Sequence, residues 1–207
     1  MTFKGKILRK IYNSEEGYDL YASQYEKTHE YLDTFEHNEI FRMCGNIEGK
    51  NVLDAGCGTG RLIKRLKDLK GNIYGCDISE KMLGIARKKN SGVEFLKADL
   101  ENMPYEDAFF DVVIAGFVIV HFKYMDKLFE EIYRVLKPGG IIIISNVNQR
   151  KPPKVKSEQG ETIIINSFYH RPEDVLNELK NTFFEIMEEK FIYENRTWIN
   201  QIVKAVK

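Results

Sequence analysis

Asp54, Asp77 and Asp99 each close a run of apolar residues, and Gly56, Gly58 and Gly60 follow directly behind the first of them. An acid at a strand end followed by G-x-G-x-G is a ligand-binding arrangement. The glycines allow a tight turn with positive φ and let a ligand approach the main chain with no Cβ in the way. The carboxylate of Asp54 favours a cationic group, whereas the N–H groups at a helix start favour an anionic one. A zwitterionic amino-acid moiety attached to a nucleoside meets both demands. The dinucleotide fingerprint G-x-G-x-x-G needs glycine at position 61, where Arg61 stands, and no Gly-Lys-Ser/Thr run of a P-loop occurs.

These residues need a scaffold, and the pattern around them supplies one. Val52–Asp54 and Asn72–Asp77 read as the ends of two strands, Val93–Leu100 as a third and Phe110–Phe117 as a fourth, buried one. Leu62, Ile63, Leu66 and Leu69 share one face of a helix after the glycines. Ser79 is placed to cap a helix carrying Met82, Leu83 and Ala86, which Asn90-Ser-Gly92 ends. Met125, Leu128, Phe129, Ile132, Val135 and Leu136 line one side of a further helix. Lys137 there complements the C-terminal dipole, Pro138 and two glycines stop the helix, and Ile141–Ile144 follows as a strand. Strand–helix alternation over residues 50–147 predicts a parallel, doubly wound α/β sheet. Residues 14–47 read as two aromatic-containing helices and 148–160 as an exposed loop. Glu161–Ser167 reads as a short added strand, Pro172 opens a helix through Leu176 and Leu179, and two strands end the chain near 184–192 and 197–206.

Taken in order, Val52-Leu-Asp-Ala-Gly-Cys-Gly-Thr-Gly-Arg-Leu62, Asn72–Asp77, Val93–Leu100, Phe110–Phe117 and Arg134–Gly140 resemble the class I S-adenosylmethionine-dependent methyltransferases. The resemblance covers residues 50–145. It implies a Rossmann-like sheet of seven strands in the order 3-2-1-4-5-7-6 with the last strand antiparallel. It also implies one domain, with a helical cap over 1–47, a cofactor-binding core over 48–147 and a substrate-side loop and strands over 148–207. The implied cofactor is S-adenosylmethionine, leaving S-adenosylhomocysteine as product. Carried onto this sequence, its contacts are Asp54, Gly56, Cys57, Gly58 and Gly116 around the turn, with Asp77 and Ile78 at the ribose. Met82, Asp99 and Leu100 fall at the adenine, and Tyr21 and Tyr25 in the covering helix. Each also has a plainer role: turn-capping for Asp54, strand-end solvation for Asp77 and Asp99, core packing for Met82, Leu100 and the Tyr18–Tyr21–Tyr25 face.

Methyl transfer asks the protein for alignment and dryness, and for a base only when the acceptor must shed a proton. His121, after the fourth strand, is the candidate base and equally a candidate turn-capping residue; His170 opens the late helix, and His29 and His37 lie in the cap. None has a partner visible in sequence.

The 207 residues suit one domain, and a net formal charge of zero argues against a nonspecific nucleic-acid binder. Cys44, Cys57 and Cys76 lack metal-type spacing and read as reduced thiols of a cytoplasmic protein, with no metal expected. The first residues lack a signal-peptide apolar core, and no run is long enough to span a membrane. The absence of Asn/Asp-Pro-Pro-Tyr/Phe after the fourth strand points to a small-molecule acceptor. The lysines of the 149–156 segment keep open an RNA or protein acceptor, and a non-catalytic module holding S-adenosylmethionine is the further alternative. A nicotinamide dehydrogenase is disfavoured by Arg61 and by the acid ahead of the glycines.

Overall fold

The computed structural model describes residues 10–36 and 38–207; the leader reading of the first nine residues and the placement of His37 lie outside them. A seven-stranded sheet runs through the molecule. Its strands are β2 (Asn51–Ala55), β3 (Asn72–Asp77), β4 (Glu94–Lys97), β5 (Phe110–Ala115), β6 (Leu136–Val147), β9 (Glu185–Glu194) and β10 (Thr197–Val206), in the order β4-β3-β2-β5-β6-β10-β9. β10 is antiparallel to both neighbours and the β4 to β6 pairs are parallel. Counted within the sheet, this is the 3-2-1-4-5-7-6 order with its reversed last strand.

Alternation along the buried strands splits the core in two, because successive side chains face opposite sides of a sheet. Leu53, Val113, Ile142 and Ile144 join Leu128, Phe129 and Ile132 of α6 (Asp126–Val135) and Leu179 of α7 (Pro172–Asn181). Val52, Ile114 and Ile143 join Ile40 and Met43 of α3 (Glu39–Cys44), Ile63 and Leu66 of α4 (Ile63–Asp68) and Leu83 of α5 (Glu80–Lys89). Each such fully buried aliphatic side chain contributes roughly 1.5–3 kcal/mol. α4 is shorter than its pattern predicts: the chain leaves the helix at Leu69, which is 39% exposed.

Two details differ from expectation. Lys137 pairs with Asp111 at 2.8 Å instead of serving the end of α6, because β6 begins at Leu136 and carries Lys137-Pro-Gly-Gly into the ladder. The segment expected as a loop contains β7 (Lys154–Lys156), which pairs antiparallel with β8 (Thr162–Ile165). β8 in turn pairs in parallel with β1 (Ile11–Tyr12), making a second, three-stranded sheet beside the cap.

The cap itself is α1 (Ser14–Tyr25), a 3₁₀ turn and α2 (His29–Asp33), with α3 beyond. Only Gly17 and Ala22 of α1 are buried, so α1 sits on the core largely through polar contacts. Asp19 accepts from Ser79 Oγ at 2.5 Å, Glu15 pairs with Lys97 at 2.6 Å, and His29 Nε2 meets Thr59 Oγ1 at 2.8 Å.

Candidate active site

The glycine turn lies at the carboxyl ends of β2 and β3, beside the point where the chain order reverses from β2 to β5. That is where open α/β sheets take ligands. Its shape is held from the neighbouring strand. The carbonyl of Cys76 accepts from Gly56 N at 2.8 Å and Cys57 N at 2.9 Å, and Asp77 Oδ2 accepts from Gly58 N at 2.8 Å. The expectation of free amides at a helix start is therefore corrected: these three N–H groups are occupied within the protein, and α4 starts only at Ile63. The turn receives a ligand by leaving room for it. Gly56 has φ 73°, and a Cβ there would collide with Val118 Cγ2.

The three acids sit in different environments. Asp54 is 2% exposed, its Oδ2 has no hydrogen-bond partner, and burial pushes its carboxyl up to about 7. An unpartnered buried carboxylate oxygen at this point fits a ligand ammonium. Asp77 is half-buried, not at an exposed strand end as its position suggested; Oδ1 accepts from Ser79 N at 2.9 Å while Oδ2 holds Gly58. Burial raises its pKa, and the two amides draw it down. A carboxylate offers about four acceptor sites, so Asp77 keeps capacity for hydroxyl donors. Asp99 is exposed and accepts from Glu101 N at 3.0 Å.

A cavity of about 560 Å³ opens over the turn. Gly56, Gly58, Asp77, Ile78, Met82, Asp99, Leu100 and Gly116 line it, and Tyr25 covers Gly58. The volume lies within the range of small-molecule sites, roughly 300–1,000 Å³. Of the residues carried over from the resemblance, Tyr21, Asp54 and Cys57 stand outside the lining. Tyr21 packs edge-on against Tyr25 with centroids 5.8 Å apart, and Cys57 is buried with its thiol raised by burial.

The lining also holds the aromatic side chains of Tyr18, Phe117, Phe122 and Tyr124, with His121, beside the charged Glu15, Lys123, Asp126 and Lys127. Phe117 has φ 60°, a left-handed conformation that costs a non-glycine residue about 1–2 kcal/mol, and its N–H donates to Ser145 Oγ at 2.7 Å. Tyr18 Oη lies 3.0 Å from His121 Nε2, and burial pushes the imidazole down to about 4. His170 does not face the cavity; its Nε2 donates to the carbonyls of Ile119 at 3.1 Å and Phe122 at 2.9 Å.

Sequence reasoning missed the role of Arg61. Its guanidinium donates to Glu36 at 2.8 and 3.0 Å and to Asp33 at 2.6 Å, tying the residues after α2 to the turn. The Arg61 and Glu36 side chains are 8% and 4% exposed. Only the oddity of arginine in place of the third fingerprint glycine hinted at it.

Residues 53–144 match the family model for a methyltransferase domain. Over that stretch the chain is similar to methyltransferase domains. The demethylmenaquinone methyltransferase of Chlorobaculum tepidum is 43% identical over 102 residues, covering 47% of this chain and 42% of that protein. The chain spans about two fifths of the length of the curated relatives it matches. The same architecture occurs in an S-adenosylmethionine-dependent methyltransferase from Mesorhizobium loti (TM-score 0.71, 20% identity, covering 84% of this chain and 98% of that one). It occurs again in magnesium protoporphyrin IX methyltransferase from Synechocystis PCC 6803 with bound SAH (TM-score 0.65, 22% identity, 86% of this chain and 82% of that one). At those identities the likeness is one of fold, which by itself does not settle chemistry.

Proposed function

We propose that the protein transfers a methyl group from S-adenosylmethionine to a small organic acceptor. The observation that carries this reading is the cavity over the glycine turn, with Asp77 and Asp99 in its wall; the unpartnered Asp54 oxygen at the end of β2 accompanies it. Asp77 would take the ribose hydroxyls, Asp99 with Met82 and Leu100 the adenine, and Asp54 the amino group of the methionyl part. When bound, the cofactor supplies an electrophilic methyl on a sulfonium. The chain's own work is to hold, cover and dry that site. Tyr18 and Tyr25 bring ring faces suited to a sulfonium through cation–π attraction, and α1 closes the cavity against water.

The small acceptor is supported by the size of the cavity and by the aromatic side chains in its lining. No helix among the described residues is long and apolar enough to cross a membrane.

Calorimetry with S-adenosylhomocysteine and with NAD tests the cofactor, and labelled S-adenosylmethionine added to metabolite, RNA and protein fractions of the source cell tests the acceptor. Saturable binding of the adenosyl ligand alone, with label in the metabolite fraction, is the expected result. Binding of NAD, or of neither, overturns it.

A further inference from the structure

Two titratable groups in the lining of the cavity, Tyr18 and His121, are joined by a hydrogen bond. Tyr18 comes from α1 and His121 from the 3₁₀ turn after β5, and they meet with Oη and Nε2 3.0 Å apart and ring centroids at 5.1 Å. The direction of the bond follows from the other ring nitrogen. His121 Nδ1 faces the carbonyl of Asn166 at 3.4 Å, which only accepts, so Nδ1 carries the hydrogen and Nε2 is bare. Tyr18 therefore donates to Nε2, and the lone pairs of its oxygen remain for a donor in the cavity.

Both partners are fixed by one segment. The chain from β8 to the start of α7 contributes the Asn166 carbonyl, Phe168 N to Val120 O at 2.7 Å, and His170 to the carbonyls of Ile119 and Phe122. On the other side β8 pairs with β1, and Ile165 packs so closely on Gly17 that a Cβ there would lie 2.9 Å from Ile165 Cγ1. The segment expected to be a substrate loop is a bracket that brings Tyr18 to His121.

We propose that Tyr18 and His121 form a proton-accepting pair for a hydroxyl-bearing, planar apolar acceptor, a role that rests on the transferase reading above. The acceptor's O–H bond breaks and its proton passes to Tyr18 Oη while the tyrosine's own proton moves to His121 Nε2. The electron pair left on the acceptor completes the new bond to the methyl carbon, and the pair of the breaking C–S bond leaves on sulfur. The imidazolium, steadied by the Asn166 carbonyl, then releases its proton to water.

The chemistry of the pair selects this acceptor class. Burial holds the imidazole neutral around pH 7 and makes it a weak base. A weak base suffices for a hydroxyl, whose proton becomes strongly acidic as oxygen gains the methyl. A carboxylate has no proton to give at that pH, and an amine keeps its proton on the product ammonium. Tyr18, Phe117 and Phe122 supply flat apolar walls.

The test uses the full chain with ¹⁵N-labelled histidine. The protein has four histidines, so His121→Asn assigns the signal. With S-adenosylhomocysteine bound, His121 is expected as the neutral Nδ1–H tautomer across pH 5–8, with its Nε2 resonance displaced in Tyr18→Phe. Labelled S-adenosylmethionine with the metabolite fraction should mark hydroxyl compounds in wild type, about 10²–10⁴-fold more slowly in either variant, with S-adenosylhomocysteine affinity changed less than about threefold. An Nε2–H tautomer, or wild-type transfer rates in both variants with the adenosyl ligand still bound, overturns the pair alone. A wild-type protein that binds S-adenosylhomocysteine and labels nothing overturns the transferase reading, and the pair with it.

Discussion

Asp77 Oδ2 accepts the backbone N–H of Gly58 at 2.8 Å, so the acid that ends β3 locks the turn that leaves β2. The same carboxylate holds Ser79 N, the residue that caps α5 through its own hydroxyl at 3.1 Å from Met82 N. Strand, turn and helix therefore share one anion. Hydrogen bonds to a charged group contribute roughly 1.5–3 kcal/mol each. Asp77→Ala is expected to lower stability by about 2–4 kcal/mol and S-adenosylhomocysteine affinity by about tenfold to a few hundredfold. Urea melts and calorimetry on the same samples check both; an unchanged midpoint would show that the turn does not depend on Asp77.

Asp54 gives a prediction about pH. Burial disfavours the charged form and pushes its carboxyl from the ordinary 3.8 up to about 7. The raised value means the folded state holds a proton that the unfolded chain has lost. The stability it carries is complete below pH ~4 and disappears as pH rises through about 7, of order 2–4 kcal/mol in all. Asp54→Asn should flatten this slope, making the ligand-free protein more stable than wild type at pH 8 while weakening cofactor binding at least tenfold. Urea melts at pH 5 and pH 8 decide, and parallel pH slopes in the two proteins count against it.

Arg61 and Glu36 form a buried ion pair between the turn and the cap. Removing one partner of such a pair leaves an uncompensated charge and costs about 3–5 kcal/mol. Arg61→Met should destabilise by that amount, and adding Glu36→Gln should restore most of it. A double-mutant cycle in denaturant reads the coupling; additive losses would mean that the two side chains act separately.

How far sequence reading reached depended on the range of the interactions. The central strands were legible because Val52–Asp54, Phe110–Ala115 and Ile141–Ile144 are short apolar runs with turn signals at their ends. The ligand turn was legible because positive φ at Gly56 leaves a trace in residue type. Cap geometry left none. Tyr18, Tyr21 and Tyr25 share a helix face, yet which of them enters the cavity is set by rotation of α1, and that is fixed by Gly17 against Ile165 and Asp19 against Ser79. Tyr18 lines the cavity and Tyr21 does not. The Tyr18–His121 pair and β7 were equally invisible, one joining residues far apart in sequence, the other a strand of three residues.

The polar seating of α1 and α2 predicts a cover that loosens readily. Exposed ion pairs such as Glu15–Lys97 contribute about 0–1 kcal/mol and are screened by salt. Backbone hydrogen exchange over residues 14–36 should slow on adding S-adenosylhomocysteine, and ligand affinity should fall as sodium chloride rises from 50 mM to about 1 M. Exchange that ignores the ligand rules out a cofactor-coupled cover.

The pairing of Ile11 with Ile164 and of Tyr12 with Ile165 also orders events on the ribosome. The strands that bear Asp54 and Asp77, and the turn after β4 that bears Asp99, are complete before β8 has been synthesised, whereas β1, made first, must wait for it. Contacts so distant along the chain form late, since loop closure has to precede them. A nascent chain therefore owns its glycine turn while the tyrosine-bearing helix is held only by its contacts to residues such as Ser79 and Lys97, and the β1–β8 tether comes last.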